Sequence, residues 1–122
     1  MATIRLLVSD VDGAAAFYTG MLGFTLVEQM GSAFARVSRG DLDLWLSGPA
    51  SSAARPMPDG ARPVPGGWNR IVLEVEDLSS TVVSLRQAGV RFRNDIIGGP
   101  GGQQVLAEDP SGNLIELFQP RR

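Results

Sequence analysis

The sequence predicts an α+β fold made of two successive βαβββ modules, and three observations predict it. Strand-like alternation, an aspartate, an apolar helical stripe and a glycine occur in that order twice along the chain. The two copies keep a near-constant offset, with Asp10 and Asp77 67 residues apart and Gly23 and Gly89 66 apart. Between them, residues 48–67 carry five prolines and no hydrophobic period, the pattern of a long connection. The expected organisation is one domain over 1–122, with module one at about 1–47, a linker at 48–67 and module two at about 68–120. Each flank is about 50 residues, short for an independent domain, so the two are read as parts of one assembly.

In the first module Ile4, Leu6 and Val8 share one face at period two, which predicts a strand. Asp10 then offers a capping carboxylate, and a helix is expected over 11–22 from the stripe Ala14, Phe17, Tyr18, Met21 and Leu22. Gly23 stops it by its freedom to adopt positive φ. Strands follow at Phe24–Met30, Ala33–Ser38 and Leu42–Ser47, separated by Gly31 and by Arg39-Gly40-Asp41. The second module repeats this order. Ile71, Leu73 and Val75 alternate on a strand; Asp77 caps a helix over 78–88 with Leu78, Val82 and Leu85 inward; Gly89 ends it. Strands are expected near Arg91–Ile97, Gln103–Glu108 and Leu114–Gln119, joined by Gly98–Gly102, read as a flexible connection, and by Asp109-Pro110-Ser111-Gly112.

Composition removes whole classes of chemistry. The chain has no cysteine and no histidine, so thiolate nucleophiles, imidazole bases and the usual transition-metal ligands are absent. All 11 basic residues are arginine, which excludes a lysine Schiff base and a Walker lysine. A net charge of −2 argues against a nucleic-acid partner, and Arg121-Arg122 reads as a solvated tail. No apolar run approaches the ~20 residues that span a bilayer, so no membrane partner is expected. The strand pattern begins directly after Met1 without a signal-peptide core, which sets the cytoplasm as the expected location.

Val8-Ser9-Asp10, Phe17-Tyr18 and Leu22-Gly23-Phe24 resemble the first module of the vicinal oxygen chelate superfamily. Val75-Glu76-Asp77-Leu78, Ala88-Gly89-Val90 and the run from Asp109 to Leu117 resemble its second module. The superfamily includes glyoxalase, extradiol dioxygenases, fosfomycin-resistance enzymes and bleomycin-resistance binding proteins. The resemblance implies curved mixed sheets around a shared cleft, often completed in a homodimer. It also implies a divalent-metal position in which each module begins with a histidine seven residues before its strand-ending aspartate. Thr3 and Arg70 occupy those positions here. Glu116 matches the carboxylate of a last strand, and Asp43 is its expected counterpart in the first module. A neutral hydroxyl and a permanent cation are poor company for a divalent ion, so no tightly bound transition metal and no cofactor are expected.

Alternation sorts the strands into faces and gives the candidate ligand-binding residues: Thr3, Arg5, Asp43, Trp45, Arg70, Glu74, Glu116 and Phe118. For Arg70 and Glu116 the competing structural role is a mutual ion pair; for Trp45 and Phe118, read as matched positions, it is packing against the linker or a partner. Tyr18 is expected in the core and Trp68 as a packing anchor. The functional expectation is a metal-independent small-molecule binding protein of the bleomycin-resistance kind, with an aromatic or antibiotic-like ligand, homodimeric, and with a role in antibiotic resistance. The alternative is a lyase, isomerase or dioxygenase-like enzyme using Glu116 as base or an oxygen-ligated divalent metal.

Overall fold

The computed structural model describes residues 2–121. Met1 and Arg122 lie outside the described residues, so the expected tail is seen only at the exposed Arg121. Contacts divide the chain into two compact units: one runs to Gly66 and includes Pro110–Gly112, the other comprises Gly67–Asp109 and the chain from Asn113 on. Residues 48–66 of the expected linker belong to the first unit and Gly67 to the second.

The first unit contains β1 (Ala2–Leu7), α1 (Val11–Met21), β2 (Thr25–Met30), β3 (Phe34–Arg39) and β4 (Leu42–Ser47), followed by a 3-10 turn at Ser52–Ala54. Its strands form a mixed sheet in the order β1-β4-β3-β2, with β1 parallel to β4 and the other pairs antiparallel. Leu44 and Leu46 of β4, Ala35 and Val37 of β3, and Val11, Ala14, Ala15 and Tyr18 of α1 make the core. Tyr18 is fully buried, as expected, with edge-on contacts to Phe17 and Phe24. The helical stripe is rotated from the expected one: Val11, Ala14, Ala15, Tyr18 and Leu22 face inward and Met21 is exposed. Ile4 is also exposed, because β1 is an edge strand.

Both helices start at an aspartate but use it differently. Asp77 accepts a hydrogen bond from the Ser80 amide at 3.2 Å, whereas the Asp10 side chain makes no capping bond. Gly23 has φ +73°, and across it the Phe24 amide reaches back to the Tyr18 carbonyl at 3.1 Å, which closes the end of α1.

The second unit contains β5 (Arg70–Glu74), α2 (Leu78–Gln87), β6 (Arg91–Phe92), β7 (Ile97–Gly99), β8 (Gly102–Glu108) and β9 (Leu114–Pro120). The order is β5-β9-β8-β6, with β7 pairing β8 and β5 parallel to β9. The expected strand over 91–97 is split in two. The Asn94 side chain accepts the Leu106 amide at 2.9 Å, so a side chain replaces a ladder partner and the backbone bends. The glycine-rich segment is a β-hairpin, not a loose connection: Ile97, Gly98 and Gly99 pair with Gln104, Gln103 and Gly102. A Cβ on Gly102 would overlap the Gln119 carbonyl, so the close approach of β8 to β9 requires glycine there. In the Asp109–Asn113 turn, Asp109 Oδ1 accepts the Asn113 amide at 2.9 Å and Oδ2 accepts its side-chain Nδ2 at 3.0 Å, both residues buried, while the Ser111 hydroxyl accepts the Ser9 amide at 2.9 Å. That cyclic pairing explains the Asp-Pro-Ser-Gly-Asn sequence as turn chemistry.

Candidate functional site

Each sheet turns one face to its helix and leaves the other polar. On β4, Leu44 and Leu46 point to the helix side, which puts Asp43, Trp45 and Ser47 on the opposite face. Strand register carries neighbours onto that face. Thr3, Arg5 and Leu7 of β1 pair with Asp43, Trp45 and Ser47, and these pair in turn with Ser38, Arg36 and Phe34 of β3.

Trp45 thus lies in register between two arginines. The Arg5 guanidinium sits over the indole at 4.9 Å and its Nη1 donates to Ser47 Oγ at 3.0 Å. Arg36 Nε donates to Asp43 Oδ2 at 3.0 Å. Phe34 meets the Trp45 ring edge-on at 6.0 Å. Asp43 is 3% exposed, and its Oδ1 and the Trp45 Nε1 are buried atoms without a hydrogen-bond partner among the described residues. Arg5 has no carboxylate at ion-pair distance among the described residues. The face therefore carries one compensated and one uncompensated guanidinium around an aromatic ring.

In the second unit, Arg70, Val72 and Glu74 lie opposite Leu114, Glu116 and Phe118. Arg70 Nη1 and Glu116 Oε1 are 3.4 Å apart, a long ion pair between half-buried groups. Glu74 and Phe118 share a register position at the far end of the strands, and Phe118 also lies beneath the hairpin at Gly101. Leu114, which strand alternation puts on the same face as Glu116 and Phe118, is buried. Trp68 is no packing anchor: it is 66% exposed, with the Arg93 guanidinium 4.9 Å over its ring.

The register corrects the matching of the modules. Counted from the capping aspartates Asp10 and Asp77, Thr3 answers to Arg70 and Arg5 to Val72. The strand partner of Arg5 is Trp45, and that of Val72 is Glu116. Trp45, not Asp43, therefore stands where Glu116 stands in the second module, and Ser47, not Trp45, answers to Phe118. Asp43 answers to the buried Leu114.

Sequence reasoning missed Arg36. The signal was present, since the tight Gly40-Asp41 turn fixes Arg39 opposite Leu42 and so Arg36 opposite Trp45.

The family model described as Glyoxalase/Bleomycin resistance protein/Dioxygenase superfamily matches residues 1–117. The chain belongs to this superfamily. Among solved structures it is similar to TnmS3, an antibiotic binding protein from a Streptomyces species, at 28% identity, covering 98% of this chain and 93% of that one with a TM-score of 0.74. It is similar to a superfamily member from Sphaerobacter thermophilus at 27% identity, 98% and 95% coverage and a TM-score of 0.77. A lactoylglutathione lyase from Agrobacterium tumefaciens, 20% identical over 98% of this chain and 92% of that one with a TM-score of 0.75, shares the fold. No curated protein sequence matches. No helix among the described residues is long and apolar enough to cross a membrane.

The residues at the superfamily's metal position do not fit a divalent ion. The first unit offers the Thr3 hydroxyl and an indole, which has no lone pair to give. The second offers a guanidinium and one carboxylate, and the Arg70–Glu116 pair already engages that carboxylate with a cation.

Proposed function

We propose that this superfamily member is a metal-independent binding protein that holds a small aromatic, antibiotic-like ligand without turning it over. The observation that carries the reading is the Arg70–Glu116 pair, a guanidinium standing where metal chemistry needs an empty carboxylate. Arg5, over the Trp45 ring and without a carboxylate at ion-pair distance among the described residues, supplies an anion contact beside an aromatic surface. The likeness to an antibiotic-binding protein at 28% identity supports the same class.

The test begins with metal content after purification without chelator. The chain is then treated with EDTA and screened by thermal shift against benzoate and a bleomycin-type glycopeptide. At a hundredfold excess over Kd, a ligand adds about 2.7 kcal/mol of stability. The expected result is a rise in Tm that EDTA does not alter, that Arg5→Gln or Arg70→Gln erases, and that leaves the ligand chemically unchanged. Stoichiometric zinc, nickel or iron lost in Glu116→Ala, or conversion of the ligand, overturns the proposal.

The same proposal includes a homodimer. The edge strand β2 exposes all six of its residues, with Leu26, Val27 and Met30 among them and Met30 61% exposed. Sedimentation equilibrium at micromolar concentration should return twice the 13.0 kDa chain mass, and a single monomeric species would remove the dimer from the proposal.

A further inference from the structure

The linker folds back on its own unit. After the 3-10 turn, the Met57 amide donates to the Ala61 carbonyl at 2.7 Å, the Gly60 amide to the Met57 carbonyl at 2.9 Å, and the Ala61 amide to Asp59 Oδ1 at 3.0 Å. This knot reverses the chain and lays residues 62–65 beside the end of β1. Between them lies a half-open cavity of about 280 Å³, with Leu7 and Val8 on one side and Arg62, Pro63, Val64 and Pro65 on the other.

Three properties of this cavity define an occupant. The first is its wall chemistry. Pro63 and Pro65 carry no N–H and have fixed φ, so the strap is apolar and held in shape before any ligand arrives. The second is size. A cavity of roughly 150 Å³ takes a benzene ring, and drug-sized sites begin near 300 Å³. At about 280 Å³ the space suits two fused rings and little more. The third is charge. Arg62 is the only charged side chain in the lining, no aspartate or glutamate joins it, and it has no ion-pair partner among the described residues.

We propose that the proline-rich linker forms a second binding site, separate from the polar sheet faces, for a monoanionic bicyclic arene whose carboxylate or sulfonate pairs with Arg62. The ring system enters between Leu7 and Val8 and the Pro63–Pro65 strap, and the anion stays at the rim, where Arg62 reaches it with a charge-assisted bond. Only Leu7 belongs to both this cavity and the polar face of the first sheet, so the two sites are separable by mutation.

The probes are 1-naphthoate, its neutral isostere 1-naphthamide and the cation 1-naphthylmethylammonium, titrated calorimetrically into the full chain. One naphthoate per chain should bind, about tenfold or more tighter than naphthamide, with the cation weaker still. Arg62→Gln should reduce naphthoate to the level of naphthamide. Val64→Asp, a change at a residue 71% exposed and so tolerated by the fold, should weaken both by placing a carboxylate in the strap. Arg5→Gln and Trp45→Phe should leave naphthoate binding within about twofold, and amide shifts in a 15N spectrum should fall on residues 7–9 and 48–65. Failure of naphthoate to bind at millimolar concentration overturns the inference. So does binding that ignores Arg62→Gln and Val64→Asp but disappears in Arg5→Gln or Trp45→Phe. That second outcome would place the arene on the sheet face and leave the proposed function standing.

Discussion

Replacing Arg36 with methionine should be among the most costly single changes at the polar face of the first sheet. The side chain keeps most of its stem, so packing is conserved while the charge goes. Its partner Asp43 is 3% exposed, and among the described residues the 3.0 Å bond from Arg36 Nε is the only one to its carboxylate, with Oδ1 unpaired. Breaking a fully buried pair by removing one partner costs about 3–5 kcal/mol, because a charge is left stranded. Arg36 is 36% exposed along its side chain, so water reaches the Oδ2 side once the guanidinium is removed. The expected loss is therefore lower, about 2 kcal/mol. Urea unfolding should show it as a fall in midpoint at unchanged m, and thermal unfolding as a drop of roughly 6–10 °C for a chain of this size. A double-mutant cycle sharpens the test. Asp43→Leu removes the group that Arg36 compensates, so Arg36→Met made on that background should cost less than half as much, a coupling of at least about 1 kcal/mol. If Arg36→Met lies within about 0.5 kcal/mol of the parent, or the two changes add, Asp43 does not depend on Arg36 and the reasoning fails.

The two capping aspartates should separate in the same assay. Asp77→Ala removes the acceptor of the Ser80 amide and should cost about 1 kcal/mol, while Asp10→Ala, which removes no capping bond, should stay within about 0.3 kcal/mol. Equal losses at both sites would show that Asp10 caps its helix in solution.

The parts of the fold legible in the sequence were those set by local chemistry. Period-two alternation at Ile71 and Leu73 and the 3.6 period of Leu78, Val82 and Leu85 both end on buried residues. Gly23 and Gly89 have φ of +73° and +89°, as their places after the helices require. What was not legible came from contacts distant in sequence. Exposure of Ile4 follows from the edge position of β1, which only the parallel pairing with β4 reveals. The break in the 91–97 strand comes from the Asn94 side chain taking a ladder amide, and propensity carries no trace of that.

Register also decides what the site can be. Matching Asp43 to Glu116 by residue type alone pairs two carboxylates and keeps an oxygen-ligated metal in view. Register instead puts Trp45 in the place of Glu116 and sends Asp43 to the neighbouring row, where Arg36 takes it. Asp43 and Glu116 are then each engaged by a guanidinium from an adjacent strand of the same unit: β3 supplies Arg36 and β5 supplies Arg70. A metal ion placed at either carboxylate would have to displace a guanidinium, whose positive charge would then repel it. An anionic ligand meets no such conflict, because the Arg5 guanidinium over the indole attracts it. The arrangement thus favours recognition of a ready-made anion over generation of one, and that preference is what the proposed binding function rests on.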